Sequence, residues 1–305
     1  MSTQPRVLCA GETMALVAPT DAAPLRIGSP LTLHVGGAES NTAIALRSLG
    51  IDTAWASLLG SDSLGDLVEE FIRSRGVDTS LVERRGEPTG LYLKSVTDQG
   101  TKPLYYRSGS AASRMDADVA RRWADRMHPE LVHVTGITAQ ISAEGRDFLA
   151  AVCEGRVFGD ALVSFDVNHR PALADAGTPD TLRRLARACD IVFVGADEAE
   201  TVWGVSSDGI PDLLAGPRHL VVKDAGARAV EHAEGTRTER AALRVDVVEP
   251  VGAGDAFAGG WLAGLLSGAD AGERLEAGHR SARRVLLSAT DVPDDEPLTT
   301  EGARQ

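Results

Sequence analysis

The 305-residue chain carries a formal net charge of −13 and is 43% hydrophobic. That balance argues against general affinity for nucleic acid or anionic membranes, so an anionic substrate must be caught by local arginines. The length suits one large α/β domain, with or without a small appendage. Cys9, Cys153 and Cys189 are odd in number and widely spaced. They read as neither a disulfide framework nor a zinc site and fit a reducing cytoplasm. No apolar run behind basic residues marks a signal peptide, and none is long enough to span a membrane.

Residues 6–10 form a short apolar run that reads as a buried strand. Residues 13–18 and 31–35 alternate more, as half-exposed strands do. Gly36-Gly37-Ala38-Glu39-Ser40-Asn41 then opens a helix whose apolar face holds Ala43, Leu46 and Leu49. Two readings are open there. The glycine pair lets a ligand approach the backbone while Asn41 bonds a sugar hydroxyl, or the stretch is a glycine turn with a capping Asn. The glycine spacing is not the dinucleotide fingerprint. Residues 53–59 read as a strand and 60–71 as a turn and helix. Residues 89–96 and 103–107 read as a hairpin closed by Thr97-Asp98-Gln99-Gly100. The hairpin and the strands at 13–18 and 31–35 fall outside any strand–helix repeat. We read residues 13–35 and 89–113 as a small β lid, able to cover a pocket with one face and pair with another subunit through the other. Residues 1–12, 36–88 and 114–290 make the α/β core.

From residue 115 the alternation is plain. Strands at 131–135, 162–167, 191–194 and 219–223 are separated by helices at 142–152, 181–188 and 196–203. The pattern predicts a mostly parallel sheet flanked by helices on both faces. Ligands of such sheets bind beyond the C-terminal strand ends, where Thr135, Asn168, Glu198 and Lys223 fall. The acidic residues 291–305 read as a tail.

The stretch that organises the chain is Pro250-Val251-Gly252-Ala253-Gly254-Asp255, followed by an apolar helix through Trp261. Small residues at a helix start leave N–H groups open to an anion, with Asp255 beside them to take a proton. A Gly-rich turn with a capping Asp gives the same pattern. Arg170, after Asp166-Val167-Asn168-His169, can grip a carboxylate or phosphate through two parallel bonds. Arg107 follows Tyr105 and Tyr106 on the lid hairpin, a set suited to a polyhydroxylated acid. Glu198 stands in the first turn of a helix, where the dipole favours an acid in any case. Its functional reading is indirect Mg²⁺ binding, because Mg²⁺ keeps several waters.

With these residues in hand, nearly the whole chain resembles the ribokinase-like (PfkB) sugar kinases. The diglycine stretch with Asn41 and the run Gly252-Ala253-Gly254-Asp255 are similar to the two signatures of that family. Within it, the chain looks most like the 2-keto-3-deoxygluconate kinases, through Thr89-Gly90-Leu91-Tyr92-Leu93, Tyr105-Tyr106-Arg107 and Asp166-Val167-Asn168-His169-Arg170. The resemblance implies a cytoplasmic enzyme that uses ATP and Mg²⁺ to phosphorylate the terminal hydroxyl of a sugar acid. Asp255 would be the base, and the Gly252, Ala253 and Gly254 backbone an anion hole. Gly36, Gly37, Asn41, Tyr92, Tyr105, Arg107, Thr135 and Arg170 would hold the sugar. Asn168, Lys223, Gly226 and His279 would lie near the nucleotide, and Glu198 would help hold Mg²⁺. Because related fructokinases also carry an Arg at the Arg170 position, Arg107 with its tyrosines is the expected discriminator for a sugar acid. A fructokinase, another sugar-acid kinase and a catalytically idle sugar-binding protein are the alternatives. Four positions depart from the family pattern: Gly195 for a common Asn, Ala229 for a Gly, His279 for an Asn, and Glu249 for an Asp. The last leaves a monovalent-cation site open. A homo-oligomer assembled through the lid is the expected assembly.

Overall fold

A computed structural model describes residues 5–21, 23–97, 100–224, 226–247 and 250–288. The expected acidic tail at 291–305, residue Glu249 and the tip of the lid hairpin at 98–99 lie outside the described residues.

The chain begins with β1 (Val7–Ala10), β2 (Met14–Pro19), β3 (Leu31–Gly36) and α1 (Ala38–Ser48). It continues through β4 (Thr53–Ala56), β5 (Leu58–Gly60), α2 (Ser63–Ser74), β6 (Glu83–Arg85), β7 (Leu91–Thr97) and β8 (Gly100–Tyr106). A 3-10 turn at Ala111–Arg114 leads to α3 (Ala117–Ala124), β9 (Leu131–Thr135), α4 (Ile137–Ile141) and α5 (Ala143–Cys153). Then follow β10 (Leu162–Asp166), α6 (Thr178–Ala188), β11 (Ile191–Gly195), α7 (Ala196–Trp203), α8 (Ile210–Leu213) and β12 (His219–Asp224). The described chain closes with β13 (Arg228–Ala233), β14 (Thr236–Ala241), α9 (Ala253–Leu266) and α10 (Ala271–Leu286).

Eight strands form one sheet in the order β14-β13-β12-β11-β10-β9-β1-β4. The pairs from β4 to β12 are parallel, while β13 and β14 run antiparallel at one edge. The expected mostly parallel sheet is therefore present. At that edge β13 turns back into β14 through Glu234 and Gly235, both with positive φ. The strands are buried on both faces, which is why they read as continuous apolar runs. In β1, Leu8 and Ala10 join one hydrophobic core with α5 and α6 residues, while Val7 and Cys9 join the other with α1, α9 and α10 residues. The sheet thus has helices on both faces. No helix among the described residues is long and apolar enough to cross a membrane.

The run at 53–59, expected as one strand, is two. Ser57 breaks the ladder, its carbonyl accepting the Glu83 N–H at 3.1 Å, and β5 turns away to pair with β6.

The second sheet has the order β3-β2-β7-β8. Its register puts alternate side chains on opposite faces. Leu33, Val17, Leu93 and Leu104 stand in one row across all four strands. His34, Leu16, Tyr92 and Tyr105 form the neighbouring row on the other face. After β8 the chain returns to the larger body at once: Ala111 and Ala112 of the 3-10 turn are buried in its core.

Candidate active site

The larger sheet has its strands β1 and β9 side by side, with later chain on one flank and β4 on the other. This is the switch point at which crevices open beyond the C-terminal strand ends. Helix α9 starts at that rim. Gly252, its N-cap, has φ +82° and ψ −12°, a left-handed conformation that residues with a Cβ adopt only under strain. Of the three N–H groups expected to face an anion, the Ala253 N–H turns back to the Pro250 carbonyl at 3.4 Å. Those of Gly252 and Gly254 donate to no protein acceptor among the described residues. Close packing fixes the helix. A Cβ on Gly259 would stand 2.7 Å from Ala45 Cβ of α1, and one on Gly260 2.5 Å from the Ala277 carbonyl of α10.

Asp255, in the first turn of α9, is reached by two amides. Asn41 Nδ2 donates to Oδ2 at 2.9 Å, and Asn168 Nδ2 donates to Oδ1 at 3.4 Å. Asn168 has φ +42°, a conformation Asn tolerates better than most residues, and it aims the amide at the carboxylate. Burial raises the Asp255 proton affinity and the nearby Asp166 adds to it, against the Asn41 hydrogen bond and the charges of Arg170 and Lys223. The carboxyl is pushed up to about 7. Such a group exchanges a proton near neutral pH.

Lys223 Nζ donates to Asp166 Oδ2 at 2.6 Å. Burial alone would lower its proton affinity, but Asp166 and Glu198 outweigh that and raise it. A Cβ on Gly254 would lie 3.6 Å from this ammonium, so Lys223 borders the start of α9. Asp166 Oδ1 is buried without a hydrogen-bond partner among the described residues. Glu198 accepts the Gly195 N–H at 2.8 Å and is raised by burial and by Asp166. Two carboxylates thus meet beside Lys223, and one keeps an unsatisfied oxygen, a donor set that fits a hard cation holding its own waters. No group of three or more metal-ligating side chains occurs among the described residues.

The residues expected to hold a sugar are arranged unevenly. Tyr92 and Tyr105 face each other with ring centroids 5.7 Å apart, and the Arg107 guanidinium carbon lies 5.7 Å from the Tyr105 ring centroid. Arg107 is itself buried and paired with Glu12: its Nε donates to Glu12 Oε2 at 2.7 Å. Arg170 is exposed, and among the described residues its side chain bonds only the neighbouring His169 carbonyl, from Nη1 at 3.3 Å. Thr135 is buried, its hydroxyl donating to Glu39 Oε1 at 2.7 Å and accepting from the Ile137 N–H at 3.3 Å. Its hydroxyl is thereby committed to protein. Gly37 is needed for packing: a Cβ there would stand 2.4 Å from Thr13 Oγ1 and 2.7 Å from the Glu12 carbonyl. Gly36 pairs with Met14 at the end of β3. Gly226, with φ +74°, has open space where a Cβ would be. His279 packs edge-on against Phe257, and its Nε2 lies 3.2 Å from the Arg240 carbonyl.

Residues 4–294 match the model of the pfkB family carbohydrate kinases. The chain belongs to that family. This carbohydrate kinase is 35% identical over 279 residues to 2-dehydro-3-deoxygluconokinase of Bacillus subtilis (strain 168), covering 88% of this chain and 86% of that one. A PfkB protein from Polaromonas sp. JS666 superposes with a TM-score of 0.83 at 29% identity, over 94% and 97% of the two chains. A ribokinase-like neighbour from E. coli, described as a putative ribokinase II in complex with ATP and Mg²⁺, gives 0.81 at 20% identity over 93% of each chain. The fold is that of the ribokinase-like proteins.

Two acids of the kinase site were missed by reading the sequence. Glu39 is buried, receives both the N–H and hydroxyl of Thr135, and is pushed up to about 7 by burial, with repulsion from Asp255 adding to it. Glu12 is buried against Arg107. The one sequence signal for either was its place beside a glycine, Gly11-Glu12 and Gly37-Ala38-Glu39. A Cβ on Gly11 would lie 2.0 Å from the Glu39 carboxyl carbon, so Gly11 makes room for that acid.

Proposed function

We propose that this kinase transfers the γ-phosphoryl group of ATP to the terminal hydroxyl of 2-keto-3-deoxygluconate. The observation that carries the phosphoryl-transfer half is Asp255, half-buried, held by two amides and poised near neutrality beside the open N–H groups of Gly252 and Gly254. Ionised Asp255 takes the proton from the sugar hydroxyl as its oxygen bonds to the γ-phosphorus. The bond from that phosphorus to the bridging oxygen breaks, and ADP leaves. The α9 start supplies donors and partial positive charge where negative charge develops. Lys223 and the Gly226 turn border the nucleotide, and His279 lies toward its base. Glu198 and Asp166 would hold Mg²⁺ through its waters, and the ion would neutralise phosphate charge during transfer.

The choice of a sugar acid is supported by the 35% identical Bacillus subtilis relative and by the residues Tyr92, Tyr105, Arg107 and Arg170. Asn41 and the backbone at Gly36 and Gly37 lie on the sugar side of Asp255. A panel of 2-keto-3-deoxygluconate, its galacto isomer, fructose and ribose, assayed with ATP and Mg²⁺, tests the reading. Turnover of fructose above that of the keto-deoxy acids overturns it.

The small sheet acts as the lid in this reading, its tyrosine face toward the sugar. Its other face exposes Leu31 at 49%, Leu33 at 53%, Leu104 at 44% and Tyr106 at 61%. That apolar face supports a homo-oligomer made through the lid, since large exposed apolar patches mark interfaces. Leu33→Asp should lower the mass seen by light scattering to that of one 32.0 kDa chain. The three buried free cysteines support a cytoplasmic enzyme.

A further inference from the structure

Glu12 is a buried acid for which the transfer reaction has no use, and its surroundings are unusual. It sits between β1 and β2, where the chain leaves the large sheet for the small one. The other crossings between the two bodies converge on the same point. The Glu12 backbone carbonyl would lie 2.7 Å from a Cβ on Gly37, the crossing after β3. Its Oε1 would lie 2.7 Å from a Cβ on Gly90, the crossing before β7. Arg107, the crossing after β8, pairs with it through both Nε and Nη2. The Ser110 hydroxyl donates to Glu12 Oε1 at 2.5 Å. One carboxylate therefore ties together the root of the lid.

The pairing also changes what Arg107 can do. A buried carboxylate in two-point contact neutralises the guanidinium. Its Nη1 donates to no acceptor among the described residues, so donors remain for a sugar, but the unit as a whole is uncharged. Arg170 has no carboxylate partner among the described residues. It follows by two residues Asn168, whose amide donates to Asp255 at 3.4 Å, so it stands beside the reacting end, where its charge lowers the Asp255 proton affinity.

We propose that Glu12 is a positioning residue for sugar binding: it fixes Arg107 at the lid root and takes up its charge, leaving Arg170 as the counter-ion for the substrate carboxylate. Arg107 then offers hydrogen bonds to any sugar, acid or neutral. Discrimination in favour of an acid belongs to Arg170. This division rests on the sugar-acid reading above, and it reverses the expectation that Arg107 is the discriminator.

The test compares kcat and KM for 2-keto-3-deoxygluconate and for a neutral ketose in four proteins: wild type, Glu12→Gln, the pair Glu12→Gln/Arg107→Gln, and Arg170→Gln. Glu12→Gln should raise KM for both sugars, with kcat less affected, and the acid-to-neutral ratio of kcat/KM should hold or rise because Arg107 is freed as a cation. The paired variant leaves no unpaired buried charge, so it folds where the single variant fails, and its ratio should stay within about threefold of wild type. Arg170→Gln should lower the ratio by about tenfold or more, the usual worth of a charged hydrogen bond. A collapse of the ratio in the paired variant, with Arg170→Gln unchanged, overturns the proposal. A wild type without acid preference defeats the sugar-acid reading and leaves the positioning role to a second measurement. Amide exchange in strands β7 and β8 should then speed up in Glu12→Gln, and unchanged exchange there overturns the role of Glu12 at the lid root.

Discussion

The start of α9 and the root of the small sheet each hold a carboxylate, and they treat it in opposite ways. Asp255 receives amide hydrogen bonds but no paired cation among the described residues, and its proton is held to about 7. Glu12 receives an arginine and a serine hydroxyl. An acid left without a counter-ion can exchange a proton near neutrality, whereas one tied to a guanidinium and a hydroxyl serves geometry. On the proposed reading, the contrast separates the residue that does chemistry from the residue that holds the wall.

The largest expected effect tests the chemical side. Asp255→Asn should lower kcat by roughly 10²–10⁴, the usual worth of a general base, with the circular dichroism spectrum unchanged. Near-normal turnover would remove Asp255 from the reaction. The pH dependence sharpens the same point. The base must be ionised, so kcat/KM should fall as pH drops below about 7, following one proton. The Asn41 hydrogen bond lowers the Asp255 proton affinity, so Asn41→Ala should move that limb to higher pH. A limb that stays in place would break the assignment.

Gly252→Ala addresses the helix start. At φ +82° an alanine is strained by about 1–2 kcal/mol, so urea unfolding should register a loss of that order. Stability also tests Glu39, whose carboxyl is raised from 4.5 to about 7 in the folded state. The folded protein holds that proton longer than the unfolded chain does, so stability from this group is present below pH 4.5 and is lost as pH rises through 7. Glu39→Gln keeps the acceptor for Thr135 and removes the slope. Its stability relative to wild type should be more favourable at pH 8 than at pH 5 by urea titration.

Much of this architecture was legible because it is local. Apolar runs of four to six residues identified the core strands, which are buried on both faces, and the shift to alternation set the strands of the small sheet apart. The antiparallel β13–β14 edge and helix α3 were passed over, since short mixed stretches such as Thr236–Ala241 carry no clear period. The start of α9 was legible for a stronger reason: Gly252 is a conformational requirement written at one position. Thr135 shows the limit. A polar residue at a strand end looks like a ligand, yet its hydroxyl is spent on Glu39, 96 positions away.

The sequence by itself determined the layered sheet, the rim on which the site stands, and the glycine-bounded helix start with its acid. Each follows from spacing within a few residues, where backbone geometry dictates the outcome. The tertiary structure alone decided which charges are cancelled. Asn41 meets Asp255 across 214 positions, and Arg107 meets Glu12 across 95. Whether an arginine is a free cation or half of a buried pair depends on what the fold brings against it, and no local pattern carries that information.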